Sequence, residues 1–152
     1  MTIFWFRRDL RLFDNTALHY ALENSREVQP IFIFDSEIID ELETNDPRVN
    51  FLYDELFKIN TQLNKLNSSL KIYKGKPLNI ISKLISSTKI TSLYTNRDYE
   101  PYAIKRDNEI ANLLKDNQIS FHTFKDQVIF EENEVVKNDG LPYTVFTPFK
   151  NK

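Results

Sequence analysis

The chain has 152 residues, 20 basic against 22 acidic side chains, a net charge of −2 and no cysteine. That length suits one domain, and the 41% apolar and 13% aromatic fractions suffice for a packed core without disulfide or metal staples. The same numbers exclude disulfides, thiolate metal sites and cysteine nucleophiles, make a multi-histidine metal site untenable with only His19 and His122, and leave no global basic field for nucleic acid.

Residues 2–6 (Thr-Ile-Phe-Trp-Phe) form a continuous apolar run, the pattern of a strand buried on both faces of a parallel sheet. A charged loop follows, and Ala17, Leu18, Ala21 and Leu22 then predict a helix over 15–24, with Asp14 or Asn15 as its N-cap. Residues 31–34, after Pro30, predict a second buried strand. Asp46-Pro47 opens a helix whose apolar stripe runs Val49, Leu52, Leu56, Ile59, Leu63 and Leu66. Residues 70–73 read as a strand nearer an edge, and Pro77 opens a helix carrying Leu78, Ile81, Leu84 and Ile85. Residues 90–95 predict a strand of weaker pattern, Pro101 opens a helix through Ile110 and Leu114, and 119–124 predict an edge strand.

This alternation of strand and helix over 1–125 predicts an α/β fold, a Rossmann-like three-layer sandwich with a five-stranded parallel sheet and helices on both faces. The strand order expected is 3-2-1-4-5, which opens a ligand crevice at the carboxyl ends of strands 1 and 4. Past residue 126 the pattern breaks down. Glu131, Glu132 and Glu134 make an acidic loop, Asn138-Asp139-Gly140 a turn, and Tyr143–Phe149 an extended aromatic segment. An apolar tail reaching Lys152 without a capping element reads as a domain boundary within a longer chain.

Gly75 and Gly140 are the two glycines, so neither a GxGxxG fingerprint nor a Walker A loop is present. No apolar run approaches the ~20 residues of a membrane span. The N-terminus is apolar first and basic afterwards, at Arg7 and Arg8, the reverse of a secretory signal, which makes the cytoplasm the default address.

Two loops meet at the predicted crevice. The first carries Arg7, Arg8 and Arg11, which are placed to bind an anionic ligand; the alternative is that Arg7 and Arg8 pair with Asp9 and Asp14 and hold the loop. The second runs from Asn96 to Tyr102. There Asp98 and Glu100 either accept hydrogen bonds from a ligand or cap the helix at Pro101, and Tyr99 or Tyr102 offers a ring for stacking. Phe34-Asp35 ends the second strand at the same place, where an Asp suggests a ribose contact. His19 and His122 have no triad partners and read as structural, and Trp5 reads as core. No catalytic residue is assigned. These features alone describe a small-molecule-binding α/β domain.

The stretch Trp5-Phe-Arg-Arg-Asp-Leu-Arg-Leu-Phe-Asp-Asn-Thr-Ala-Leu18 closely resembles the opening of the DNA photolyase and cryptochrome family, W-x-R-x-D-L-R-x-x-D-N-x-A-L. Tyr94–Tyr102 with Lys105-Arg106-Asp107, Gly140–Lys150, and Asp46-Pro47-Arg48 with Phe51, Leu52 and Leu56 are similar to further family segments, in the right order. The resemblance implies an N-terminal α/β domain over 1–125, with 126–152 starting the connector to a helical FAD-binding domain that lies outside this chain. It implies a parent acting as a photolyase on pyrimidine dimers or as a cryptochrome, with damaged DNA and FAD bound by the helical domain. This chain alone would then perform no repair and remain monomeric, with Val145, Phe146 and Phe149 facing that domain. A stand-alone nucleotide-binding module and a structural domain with an empty crevice are the other readings. By resemblance to deazaflavin- and flavin-binding members, Arg8, Phe34, Asp35 and Asp98, with Glu100 retained, are carried over as the antenna-chromophore site. Folate-binding members often place Asn-Glu where this chain has Tyr102-Ala103, which disfavours folate and favours a deazaflavin or FMN.

Overall fold

The computed structural model describes residues 1–131 and 134–152. Its elements are β1 (Thr2–Phe6), α1 (Thr16–Asn24), β2 (Val28–Asp35), α2 (Ser36–Ile39), α3 (Pro47–Lys65), β3 (Lys71–Gly75), α4 (Pro77–Ser87), β4 (Ser92–Asn96), α5 (Pro101–Asp116), β5 (Ser120–Phe124) and α6 (Phe146–Lys150). The strands form one parallel sheet in the order β3-β2-β1-β4-β5, the order expected from the alternation.

Side chains alternate across a strand, so each central strand feeds two cores. Phe4, Phe6 and Phe32 pack with Ala17, Leu18 and Ala21 of α1 and Leu56, Ile59 and Leu63 of α3. Ile3, Trp5, Ile31 and Ile33 pack with Ile81 of α4 and Ile110 and Leu114 of α5. Burial on both faces is why β1 carries no polar alternation. Helix starts follow the local chemistry. Asn15 caps α1, its Oδ1 accepting from Leu18 N–H at 3.1 Å, while the other candidate, Asp14, sits at φ 51°. Asp46 caps α3 by accepting from Arg48 N–H at 2.8 Å.

β4 is more central than its polar residues suggest. All five of its residues are buried beside β1. Ser92 Oγ lies 2.8 Å from Thr2 Oγ1, and the Thr95 hydroxyl donates to the Trp5 carbonyl at 3.0 Å. These partners make a polar strand tolerable at the centre of the sheet. His122 stacks on Tyr94 at 4.4 Å, and His19 is exposed on α1.

The segment Tyr143–Phe149, expected to be extended, is corrected in its second half, because Phe146–Lys150 form the short helix α6. Pro148 sits in the first turn, where its missing N–H would have no helical partner. Val145 and Phe146 are exposed, and Phe149 meets Phe130 and Tyr143 edge-on at 6.4 and 6.3 Å. Glu131 and Glu134 of the acidic loop engage Arg97 and Lys125, while Glu132 lies outside the described residues. The turn at 138–140 closes with Gly140 N–H donating to the Lys137 carbonyl at 2.9 Å. Among the described residues no helix is long and apolar enough to cross a membrane.

Asp126 ties the start of this tail to α1. Its Oδ1 accepts from the Thr16 N–H and hydroxyl, each at 3.1 Å, and its Oδ2 accepts from Arg11 at 2.7 Å. Burial alone would raise this carboxyl, but the Thr16 and Arg11 contacts outweigh it and hold its pKa below the ordinary 3.8. A depressed folded-state pKa contributes stability that is complete above the unfolded value and is lost as pH falls through the folded one. Acid titration of wild type against Asp126→Asn by urea unfolding is therefore expected to show a smaller loss of stability below about pH 4 in the variant. Parallel acid limbs for the two proteins would contradict it.

Candidate functional site

The sheet order reverses direction at β1, with β2 on one side and β4 on the other, so the loops after these strands diverge and leave a crevice at their carboxyl ends. A cavity of about 260 Å³ occupies it. Its floor is apolar, from Trp5 and Phe6 of β1 and Phe32, Ile33 and Phe34 of β2. Ile38 and Ile39 of α2 and Leu52 of α3 close one side, and Tyr102, Ala103 and Arg106 of α5 close the other. Arg7, Arg8, Asp35, Asp98 and Glu100 complete the lining. The five residues singled out from the sequence, Arg8, Phe34, Asp35, Asp98 and Glu100, thus meet around one space.

Their states differ. Arg8 reaches across the crevice, its Nε 3.4 Å from Asp98 Oδ2 and its Nη2 3.5 Å from Glu100 Oε1. The Arg8 side chain is 61% exposed, so this pairing is weak and a ligand can replace it. Arg8 pairs neither with Asp9 nor with Asp14, so the intraloop alternative does not describe it. Glu100 holds the N-cap position of α5 without a side-chain cap bond, which leaves its carboxylate free of helix duty. Asp98 is largely buried and also accepts weakly from Glu100 N–H at 3.4 Å. Phe34 meets Phe32 in a T-shaped contact at 5.0 Å and lines the cavity.

Asp35 is committed to the protein. It caps α2, accepting from Glu37 N–H at 3.1 Å, and accepts from the Tyr102 hydroxyl at 2.7 Å. Burial first, then this bond, push the Tyr102 phenol well above its ordinary pKa, so Tyr102 stays a donor. In this geometry Asp35 fixes Tyr102 rather than offering a free acceptor to a ribose. Tyr99 turns away and donates to Glu131 at 3.1 Å, and burial with that bond pushes its phenol up to about 12.

A charged clamp borders the floor, and its two arginines, Arg7 and Arg106, line the cavity. Arg7 donates from Nη1 to both Asp107 oxygens at 2.8 and 2.7 Å, from Nε to Thr95 Oγ1 at 2.9 Å, and from Nη2 to the Asn96 carbonyl. Arg106 shares Asp107, with Nε and Nη2 at 3.2 and 3.1 Å from Oδ1. The two guanidinium carbons each stand 5.0 Å from the Trp5 ring centroid. Trp5 is thus both core and cavity floor. Burial lowers the Arg7 pKa and Asp107 opposes that shift. Asn96 ties the two loops together. Its Nδ2 donates to Asp9 Oδ2 and Asn15 Oδ1, and its Oδ1 accepts from Ala17 N–H.

Arg106, Leu52, Ile38 and Ile39 are lining residues that the sequence reading did not assign. Arg106 carried a readable signal. It lies four residues before Ile110 and eight before Leu114, on the buried stripe of α5, where an unpaired charge would be costly. α2 is only four residues long and has no periodicity to read.

The comparisons agree with the fold. The family model described as DNA photolyase matches residues 2–152. The deoxyribodipyrimidine photo-lyase of Synechococcus sp. is 31% identical over 147 residues, covering 97% of this chain and 30% of that protein. The class III photolyase of Agrobacterium tumefaciens superposes with a TM-score of 0.84 at 30% identity, covering 97% of this chain and 30% of that one. The archaeal photolyase of Sulfolobus tokodaii, solved with two FAD molecules that implicate a novel light-harvesting cofactor, superposes with a TM-score of 0.75 at 32% identity, covering 87% and 32%. The chain therefore spans about a third of the length of these relatives.

Proposed function

The chain belongs to the DNA photolyase family, and from that premise we propose that its crevice holds the flat ring of an antenna chromophore. The observation that carries this reading is the cavity itself, an apolar aromatic floor with a rim of replaceable charges formed by Arg8, Asp98 and Glu100. Its volume of about 260 Å³ lies near the lower end of small-molecule pockets, which suits a rigid ring with its tail outside. In this reading Phe34 packs on the ring, Asp98 accepts from a ring nitrogen, and Arg8 pairs with a ring oxygen or anionic group. A tricyclic deazaflavin or flavin is the favoured ligand. The bound group would supply light absorption and pass excitation to the FAD of the longer protein's helical domain. That domain would also bind damaged DNA and serve light-driven repair of pyrimidine dimers. Residues 126–152 would lead toward it, with Val145 and Phe146 facing it.

Titration of a deazaflavin, FMN and methenyl-folate against wild type and Asp98→Ala tests this reading. Visible absorbance retained after desalting is expected with a tricyclic ring, and Asp98→Ala is expected to weaken it about tenfold or more, the scale of one hydrogen bond to a charged group. Tight folate binding unaffected by the substitution would sink both the ligand and the site.

A further inference from the structure

A second cavity, of about 310 Å³, adjoins the first on the α4 and α5 side of the sheet. Tyr102 and Arg106 line both, so these side chains form the shared wall. Three cations line the second cavity, Lys76, Lys105 and Arg106, against two carboxylates, Glu37 and Glu109. Lys76 pairs with Glu37 at the exposed mouth, and such pairs exchange readily for a stronger anion. Lys105 is exposed and makes no ion pair among the described residues.

Arg106 is the preorganised part. Its side chain is 8% exposed, and Asp107 fixes its Nε and Nη2. Its Nη1 makes no hydrogen bond among the described residues and stands 3.9 Å from Asp35 Oδ2, beyond hydrogen-bond reach. No fully buried side-chain polar atom among the described residues lacks a partner, so Nη1 keeps some exposure, on a side chain that lines both cavities. The start of α4 adds a backbone donor. The helix has no side-chain cap, and Asn79 and Ile80 N–H both turn back to the Lys76 carbonyl at 3.0 and 3.1 Å. Leu78 N–H, also at this cavity, has no acceptor among the described residues, and a helix start favours negative charge.

We propose that this second cavity receives the phosphate on the tail of a flavin-type chromophore whose ring occupies the first, so that the site selects phosphorylated over unphosphorylated flavin. The inference rests on the antenna reading above. The ring cavity holds little beyond a ring system, and a tail passing beside Tyr102, which borders both cavities, arrives at two lysines, a guanidinium and a free backbone N–H, with Glu37 and Glu109 alongside. A phosphate dianion offers acceptors for these donors and would take the place of Glu37 on Lys76.

Riboflavin and FMN differ only in the phosphate, and titrating each against the full chain at low salt reads it directly. FMN is expected to bind at least about tenfold tighter. The gap should narrow in high salt, because the lysines are exposed. The Lys76→Ala/Lys105→Ala double variant should remove the gap without weakening riboflavin, and neither side chain is part of the core. Equal affinity for the two ligands overturns the phosphate site and leaves the ring site standing. An FMN advantage that survives the double substitution also overturns it, since the phosphate would then lie elsewhere. Binding of neither flavin overturns the flavin reading of the ring cavity, and the phosphate site with it.

Discussion

Asp107→Ala is expected to destabilise the domain by about 3–5 kcal/mol, the scale for removing one partner from a buried ion pair. Asp107 is the shared anion of Arg7 and Arg106, whose side chains are 7% and 8% exposed. Without it, two guanidiniums stay buried against the Trp5 ring, facing each other with little to screen them. Of the remaining partners, Thr95 and the Asn96 carbonyl are neutral, and Asp35 is beyond hydrogen-bond reach of Arg106. Domain stabilities are typically about 5–15 kcal/mol, so this loss is a large share of the total. Urea unfolding should show a lower midpoint at an unchanged slope. Asp107→Asn keeps one acceptor and should fall between. A loss under about 1 kcal/mol in the alanine variant would mean that the clamp is solvated and does not hold the cavity floor.

The second large effect is expected at Asn96. Asn96→Ala removes a donor to Asp9 Oδ2 at 2.5 Å, a donor to Asn15 Oδ1 at 2.9 Å, and the acceptor of Ala17 N–H at 2.9 Å. Asn96, Asn15 and Asp9 are all buried, so these groups lose partners that water cannot fully replace. A cost of about 3 kcal/mol is expected, within the range for unsatisfied buried polar groups. The consequence extends to the site, because Asn96 joins the loop carrying Arg8 to the end of β4. Hydrogen exchange should show faster exchange of the Ala17 and Leu18 amides, with β2 little changed. Unaltered protection at Ala17 would show that the loop is held by Arg7 and Arg11 alone.

Much of this architecture was legible in the sequence because it rests on local rules. Continuous apolar runs marked β1 and the core of β2, and Pro47, Pro77 and Pro101 marked three helix starts. The strand order followed from burial, since the most apolar strands must lie at the centre. β4 was the harder strand, because Ser92, Thr95 and Asn96 conceal a buried position behind polar residue types. Their partners lie about 90 residues away in β1 and its loop, and no local pattern reports them. In the tail, aromatic residues suggested an extended segment where residues 146–150 coil into a single turn, a conformation too short to leave a periodicity.

The candidate site divides in the same way. The sequence by itself determined which residues stand at the carboxyl ends of β1, β2 and β4, because a parallel sheet with this order places them there by connectivity. It thereby determined that Arg8, Phe34, Asp35, Asp98 and Glu100 share one crevice. Only the tertiary structure decided what each of them is free to do. Asp35 is taken up by Tyr102 and the start of α2, whereas Glu100 is free of its helix and Arg8 holds its partners loosely. Only the tertiary structure, too, set Arg106 against Trp5 and Asp107 at the border shared by two cavities. The reason is physical. Position along a strand follows from periodicity within a few residues, but a charge's availability depends on burial and on partners from distant segments, and those exist only once the layers have packed.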